Sequence, residues 1–274
     1  MALAPLTLLA FLFCLRAFTL MSNRRPRILI TNDDGIHSEG IEALEQAMQE
    51  LGDVYVVAPA SEMSGASHSL TLARPLRIRQ IDERHWTVDG TPTDCVTLAI
   101  NRILPEDAQP DICVSGINHG ANLGDDATYS GTVAGAMEAT ILGVPGIAFS
   151  LVSSQSRDFT ESARIARILT EKAIKEGLPE WTLLNVNIPL GVPKGFSITR
   201  QGFKEARPVI TEHVDPRGKL YYWIGEVRDG YRAEGGTDFE AVEQGLVSVT
   251  PMRGDLTNHS ALEQMQAWDG LEIR

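Results

Sequence analysis

The chain has 274 residues, of which 43% are hydrophobic, 22% charged and 6% aromatic, and this ordinary globular composition argues against long disorder, collagen or coiled coil. Its 24 lysines and arginines against 36 aspartates and glutamates give a net charge of −12, which argues against a nucleic-acid scaffold because phosphate neutralisation needs clustered cations. A small anionic substrate remains compatible with this charge if a metal ion or backbone amides neutralise it locally.

Residues 2–20 are almost wholly apolar, with Arg16 as their only charge, and basic residues follow from Arg24 onward. A membrane-spanning helix needs about 20 apolar residues, and a signal peptide carries its basic residues before the apolar stretch. A third interpretation places the true initiator at Met21, so that a polar lead-in precedes the first strand. We treat 1–26 as a lead-in segment and keep all three interpretations open.

The next segment predicts a βαβ unit. Residues 27–31 form a short apolar run that ends in the turn sequence Asn32-Asp33-Asp34-Gly35. Apolar residues then recur at helical spacing from Ile41 to Leu51, and residues 54–58 form a second buried run. A strand, a helix and a strand over about 30 residues imply a parallel sheet with a right-handed crossover.

Alternating strands and helices continue to residue 190. Hairpin strands are predicted at 76–81 and 85–88, core strands at 111–115, 146–150 and 183–188, and helices at 91–100, 132–142 and 159–176. A glycine-rich loop is predicted from 116 to 131. We therefore expect 27–190 to form an α/β core, a Rossmann-like, doubly wound, mostly parallel sheet.

From about residue 191 the helical patterns disappear. Short β segments separated by Gly, Pro and Asp take over, as at 219–224, and a helix near 260–268 closes the chain. We expect 191–274 to be a β-hairpin-rich extension with a terminal helix, which reaches a partner subunit and serves oligomerisation.

Polar side chains follow three of the predicted core strands. Asp33 and Asp34 come after the first, Ser64 after the second, and Asn118 after the strand at 111–115. The carboxyl ends of parallel strands meet at one edge of a sheet, where ligand crevices open. Adjacent carboxylates repel each other unless a cation lies beside them, and oxygen ligands suit Mg²⁺ or Mn²⁺. These four residues therefore predict a site for one divalent cation.

Residues near the same edge are candidates for phosphate binding. Glycines let backbone amides approach an anion, and a helix amino terminus is a natural phosphate seat. The candidates are Asn32, Gly116, Asn122, Ser130, Gly131 and Thr132. Each motif alone also has a plain structural interpretation, as an Asx turn, a corner in the chain or an ordinary helix cap.

Several other signatures are absent from the sequence. It has no Walker A ending, no G-x-G-x-x-G at the first turn, no G-x-S-x-G elbow and no H-x-x-x-H pair. The cysteines, Cys14, Cys95 and Cys113, lack C-x-x-C spacing, so neither a disulfide framework nor a zinc site follows. His37 and His119 lie in the candidate loops, where they either touch substrate or are simply solvated.

The joint occurrence of motifs from about 27 to 259 resembles the survival protein SurE family of nucleotidases. These motifs include Ile30-Thr31-Asn32-Asp33-Asp34-Gly35, Ser64-Gly65-Ala66-Ser67, Val114-Ser115-Gly116-Ile117-Asn118, Ser130-Gly131-Thr132-Val133 and Gly236-Thr237-Asp238-Phe239. The resemblance implies a Rossmann-like core, a hairpin extension used in dimer or tetramer formation, and a divalent-metal phosphatase. It implies that Asp33, Asp34, Ser64 and Asn118 hold the metal, the same four that the sheet edge selects.

The implied reaction is hydrolysis of nucleoside 5′-monophosphates, with wider action on 3′-monophosphates and short polyphosphate and with one Mg²⁺ or Mn²⁺ per subunit. Asp33 and Asp34 are the catalytic candidates, and one of them either orients a water or attacks phosphorus. We expect a nucleoside monophosphate substrate, a homodimer or homotetramer, a cytoplasmic location, and neither long nucleic acid nor membrane as partner. The alternatives are a non-catalytic nucleotide or metal sensor on the same scaffold and an exported or anchored phosphatase that uses residues 1–20.

Overall fold

The computed structural model of the chain describes residues 24–153, 155–205, 209–225, 230–232 and 234–271. The three interpretations of residues 1–20 and the initiator at Met21 lie outside the described residues. Within those ranges, no helix combines the length and apolar character needed to cross a bilayer.

The described strands form one large sheet and one separate hairpin. The large sheet contains β1 (Arg27–Thr31), β2 (Asp53–Pro59), β3 (Ile78–Gln80), β4 (His85–Val88), β5 (Ile112–His119), β6 (Gly146–Val152), β7 (Leu183–Pro189), β8 (Phe196–Ile198) and β11 (Val247–Met252). Their order is β3-β4-β2-β1-β5-β6-β7-β11-β8, and only β3–β4 and β7–β11 pair antiparallel among them. Because the chain winds outward from β1 in both directions, the switch point of the sheet lies between β1 and β5.

Helices cover both faces of this sheet. The helices are α1 (Glu39–Gln49), α2 (Pro92–Leu98), α3 (Gly131–Ile141), α4 (Thr160–Glu176), α5 (Asp238–Glu243) and α6 (His259–Met265). α1 and α4 share one apolar cluster with the sheet, whereas α2 and α3 pack on the opposite face. Because helices cover both faces, the side chains on both sides of a central strand are buried. Ile28, Leu29 and Ile30 of β1 are accordingly all fully buried, and their sequence is continuously apolar. The predicted doubly wound α/β fold is confirmed.

Two local predictions are wrong. β5 continues through Gly116 to His119, with an irregularity in its pairing to β6 between Ser115 and Asn118, so the glycine-rich loop is shorter than predicted. The extension also contains a helix besides the predicted terminal one, since α5 forms where the Thr237 hydroxyl caps its first turn.

The extension does not form a sheet of its own beside the core. β11 pairs with β7 and β8 pairs with β11, so both strands lengthen the core sheet. Only β9 (Val209–Val214) and β10 (Leu220–Gly225) stand apart, as an antiparallel hairpin whose residues are almost all exposed. The sequence pattern therefore changes near residues 190 and 191, but the core sheet continues on both sides of this point.

Candidate functional site

The candidate site lies at the carboxyl edge of the sheet, where β1 and β5 end side by side. Thr31, the last residue of β1, is in register with Ser115 of β5. Asp33 and Asp34 follow β1, and the backbone N–H of His119, at the end of β5, donates to Asp34 Oδ2 at 3.4 Å. The switch point thus brings the predicted carboxylates next to the segment that carries Asn118.

Asp33 is buried under the start of α3. Its side chain accepts a hydrogen bond from the Thr132 hydroxyl at Oδ1, and the residue is only 4% exposed. A Cβ added to Gly131 would lie 2.7 Å from the Asp33 Cβ, so glycine is required for this close approach. The Asp33 carbonyl oxygen accepts from the Met63 N–H at 2.7 Å, which ties the loop after β2 to the same point.

The two carboxylates are poorly stabilised as anions. Burial raises the pKa of Asp33 to about 6, against the opposing effect of the Thr132 hydroxyl, and the neighbouring Asp34 raises it further. Burial also raises the pKa of Asp34, against the opposing hydrogen bond from the His119 N–H. A divalent cation would reverse both effects, because it favours the charged form of each carboxylate.

The donor chemistry at the site also fits a hard cation. Asn32 Oδ1 is buried without a hydrogen-bond partner among the described residues. Asn118 is half-buried and its Nδ2 donates to the Gly120 carbonyl oxygen at 2.8 Å, an arrangement that fixes which end of the amide is the donor. In the described ranges no three His, Cys, Asp or Glu side chains group as a metal set, so the candidate donors are two carboxylates with neutral oxygens.

Ser64 lies on the exposed loop between β2 and β3. Its hydroxyl donates to Glu62 Oε1 at 2.9 Å, within the same loop. The hydrogen bond between Met63 and Asp33 brings this loop to the site, whereas the Ser64 hydroxyl bonds to Glu62 and not to either aspartate.

The Ser130-Gly131-Thr132 segment has the geometry of a phosphate seat. Ser130 caps α3 by accepting the Val133 N–H at 3.1 Å, and Thr132 is fully buried against Asp33. The amino terminus of α3 therefore opens beside the carboxylate pair, where its N–H groups and dipole favour an anion.

The other three candidates for phosphate binding have structural roles. Asn32 donates through Nδ2 to the Gly35 carbonyl oxygen and to Ser38 Oγ, which shapes the turn before α1. Gly116 lies within β5, where an added Cβ would approach the Phe149 carbonyl oxygen to 2.4 Å.

Asn122 belongs to a buried polar cluster beneath the loop. Its amide donates to Ser150 Oγ at 2.8 Å, its N–H donates to Asn187 Oδ1 at 2.8 Å, and its carbonyl oxygen accepts from Asn185 at 2.8 Å. The cluster fixes the loop after β5 to the ends of β6 and β7. Asn185 and Asn187 were not predicted, although two asparagines within an apolar strand were a visible signal.

A second buried carboxylate, Glu138 on α3, was also missed. It accepts from the Thr97 hydroxyl at 2.8 Å and pairs with His68 Nε2 at 2.8 Å. Hydrophobic spacing places residue 138 on α3, but it does not identify the partner on a loop 70 residues away.

A cleft of about 490 Å³ opens beside Asp34. Its walls include His37, His119, Arg157 and Phe159. His119 Nε2 is buried there without a hydrogen-bond partner among the described residues, and its ring meets Phe159 edge-on.

Comparisons with known proteins agree with this geometry. The family model described as "Survival protein SurE" matches residues 28–208. The 5′-nucleotidase SurE of Myxococcus xanthus is 52% identical over 250 residues, covering 90% of this chain and 95% of the relative. The 5′-nucleotidase SurE of Aquifex aeolicus is 48% identical over 245 residues, covering 88% and 97%. The crystal structure of the Aquifex aeolicus SurE protein superposes with a TM-score of 0.79, covering 89% of this chain and 100% of that one.

Proposed function

Since the chain belongs to the survival protein SurE family and is a 5′-nucleotidase, we propose that it hydrolyses nucleoside 5′-monophosphates at the carboxyl edge of its sheet, with one bound Mg²⁺ or Mn²⁺. The observation that carries this assignment is the buried carboxylate of Asp33, held by Thr132 beneath the start of α3 and next to Asp34. A metal-binding carboxylate pair and an anion-binding helix terminus thus meet at one point.

Asp33, Asp34, Ser64 and Asn118 would hold the cation, which supplies Lewis-acid polarisation of the phosphoryl oxygens when bound. The Thr132 hydroxyl orients Asp33, and the His119 N–H restrains Asp34. The amino terminus of α3 binds the phosphate through its backbone N–H groups, which are fixed in place before the substrate arrives. The nucleoside lies in the cleft beyond Asp34, whose walls are partly apolar.

The same site accepts 3′-monophosphates and short polyphosphate, because the contacts proposed above address phosphate and metal rather than a particular ribose oxygen. Base preference would arise in the cleft. The family resemblance supports this wider range, and a substrate panel tests it.

The working form is a homodimer or homotetramer that uses the β9–β10 hairpin. Val209, Ile210, Trp223 and Ile224 expose apolar surface on it, which an isolated subunit would leave in water. Partner binding through this exposed hairpin would remove these apolar side chains from water.

The cytoplasm is the compartment that fits the described cysteines. Cys95 and Cys113 are both free and buried, and burial raises the pKa of Cys95 and raises that of Cys113 to about 12. Buried unreactive thiols suit a reducing compartment. Mass spectrometry of the amino-terminal peptide of the untagged protein, after fractionation, tests this location and distinguishes a start at Met21 from an exported chain.

Phosphate release by the full chain tests the activity. The panel contains 5′- and 3′-nucleoside monophosphates, a sugar phosphate and polyphosphate, each with Mg²⁺, with Mn²⁺ and with a chelator. We expect metal-dependent release that is fastest with nucleoside monophosphates. A folded protein that binds metal and nucleotide but releases no phosphate would instead be a sensor.

A further inference from the structure

The loop that carries Ser64 has no secondary structure of its own to hold it at the site. It leaves β2 at Pro59, reaches β3 only at Ile78, and most of its residues are exposed. The Ser64 hydroxyl donates to Glu62 of the same loop. Its position relative to the aspartates therefore depends on the contacts of its neighbours in the loop, among them the Met63 N–H, which donates to the Asp33 carbonyl oxygen at 2.7 Å.

Three further contacts attach the loop to α3 and to the turn before it. The Ser67 N–H donates to the Tyr129 carbonyl oxygen at 3.0 Å, and the Ser67 hydroxyl donates to the Thr128 carbonyl oxygen at 2.7 Å. Directly after it, His68 Nε2 lies 2.8 Å from Glu138 Oε2. Of these three contacts, the His68 pair is the one between side chains and the one that reaches α3 itself, while Thr71, farther along the loop, bonds the buried Asp94 of α2.

Glu138 is itself fixed before His68 reaches it. The residue is 7% exposed, and the Thr97 hydroxyl of α2 donates to its Oε1 at 2.8 Å. A buried carboxylate requires such partners, because a charged group without hydrogen bonds is strongly destabilising inside a protein. The chain Thr97–Glu138–His68 thus runs from the packed helices α2 and α3 to the loop that carries Ser64.

The helix that carries Glu138 also carries the phosphate seat. α3 begins at Gly131, and Thr132 in its first turn holds Asp33. One rigid element therefore positions Asp33 directly through Thr132 and, through Glu138 and His68, the loop of Ser64.

We propose that His68 is a positioning residue for the metal site, which holds Ser64 at the correct distance from Asp33 and Asp34 by anchoring its loop to Glu138. The inference rests on the proposed function, because only there is Ser64 a metal ligand. His68 itself touches neither metal nor substrate. Outer partners of this kind typically change metal affinity by about 10–100-fold when they are removed.

Calorimetric titration of Mn²⁺ into the metal-stripped full chain tests the proposal without relying on turnover. We expect His68→Ala to weaken the Mn²⁺ dissociation constant by about tenfold or more. His68→Gln keeps a side-chain N–H that reaches Glu138, and it should stay within about threefold of the unmodified protein. Saturating Mn²⁺ should restore most of kcat in His68→Ala, which a general loss of folding would not allow.

His85 supplies the matched control. It also bonds two carboxylates, Asp82 at 2.8 Å and Glu45 at 3.0 Å, but it lies at the opposite, amino-terminal end of the parallel strands. His85→Ala should lower stability to a similar degree and leave Mn²⁺ affinity unchanged.

The outcomes separate the two proposals. If the unmodified chain binds no Mn²⁺, the metal site and the proposed function fail together. If it binds Mn²⁺ and His68→Ala binds it equally well, or if His85→Ala weakens binding as much as His68→Ala, the positioning role is overturned while the metal site stands.

Discussion

The carboxyl edge of the sheet and the β9–β10 hairpin distribute polar and apolar groups in opposite ways. At the edge, Asp33 and Thr132 are buried, whereas Trp223 and Ile224 of the hairpin are 64% and 78% exposed. Burying a carboxylate and exposing large apolar side chains are both unfavourable for an isolated chain. Each region therefore points to something outside the chain that offsets the cost, a cation and an anionic substrate at the edge and a second protein surface at the hairpin.

Replacing the buried carboxylate should give the largest effect. Asp33→Asn removes the charge that the cation neutralises, while its side-chain oxygen still accepts from Thr132, so we expect the fold to persist. Turnover should fall by at least about 10²–10³-fold, the range found when one electrostatic group is removed from an active site. Phosphate release in saturating Mn²⁺ measures it, with Asp82→Asn, on the exposed turn before β4, as the control. Unchanged turnover would show that the edge is not the site.

A charge on the hairpin should have a large effect on assembly and little on the single chain. Ile224 lies opposite Ile210 on the same face of the hairpin, and both are exposed. Burying an isoleucine is worth about 1.5–3 kcal/mol, and a two-fold interface contains it twice, so Ile224→Glu should weaken association by about 100-fold or more. Sedimentation against Arg217→Glu at the hairpin tip measures this. If both variants sediment like the unmodified protein, the hairpin is not the interface.

The contact between the extension and the carboxyl edge gives the next effect. Asp238 is fully buried and accepts the N–H groups of Gly124, Gly202 and Phe239, so the extension holds the end of the loop that follows Asn118. Asp238→Ala leaves buried N–H groups unpaired and should cost about 2–3 kcal/mol in the free energy of unfolding.

Urea unfolding measures the loss, with Glu234→Gln as the control because its ion pair with Arg200 is exposed. A stability equal to that of the control would mean that the loop is held without the extension. The stability of the carboxyl edge would then be independent of the extension.

The sequence predicts the framework of the edge because that framework depends on local pattern. Buried runs such as 27–31 identify the strands, and parallel winding brings Asp33, Asp34 and the end of β5 to one edge without any knowledge of contacts. The position of Ser130 at the start of α3 could be predicted for the same reason, since a hydroxyl residue directly before a helix is a typical N-cap.

The features that could not be predicted depend on contacts between residues that are far apart in the sequence. Asn122 was a phosphate candidate, yet it belongs to a cluster with Ser150, Asn185 and Asn187 that only the packing of three strands creates. The pairing of β11 with β7 likewise joins the extension to the core over a large separation in the chain. Periodicity describes which face a residue occupies and contains no information about its partner.

The smallest expected effect is the change with pH in the stability that Glu138 contributes. Glu138 lies on α3, which supports the carboxyl edge, and is not itself a candidate metal ligand. Burial raises the pKa of Glu138, but the hydrogen bonds from His68 and Thr97 outweigh it and hold that pKa below its ordinary value. A carboxyl with a lowered pKa adds stability at neutral pH, which is lost as the pH falls from its unfolded value through the lower folded one. Glu138→Gln should therefore be less stable by about 1 kcal/mol at pH 7, and the difference should shrink only below the ordinary glutamate pKa, toward about pH 3. Urea unfolding of metal-free protein at both pH values measures it, with Glu176→Gln, whose ion pair with Lys172 is exposed, as the control. A difference that stays constant with pH would mean that Glu138 contributes through packing alone. The stability of the carboxyl edge would then not depend on the charge of Glu138.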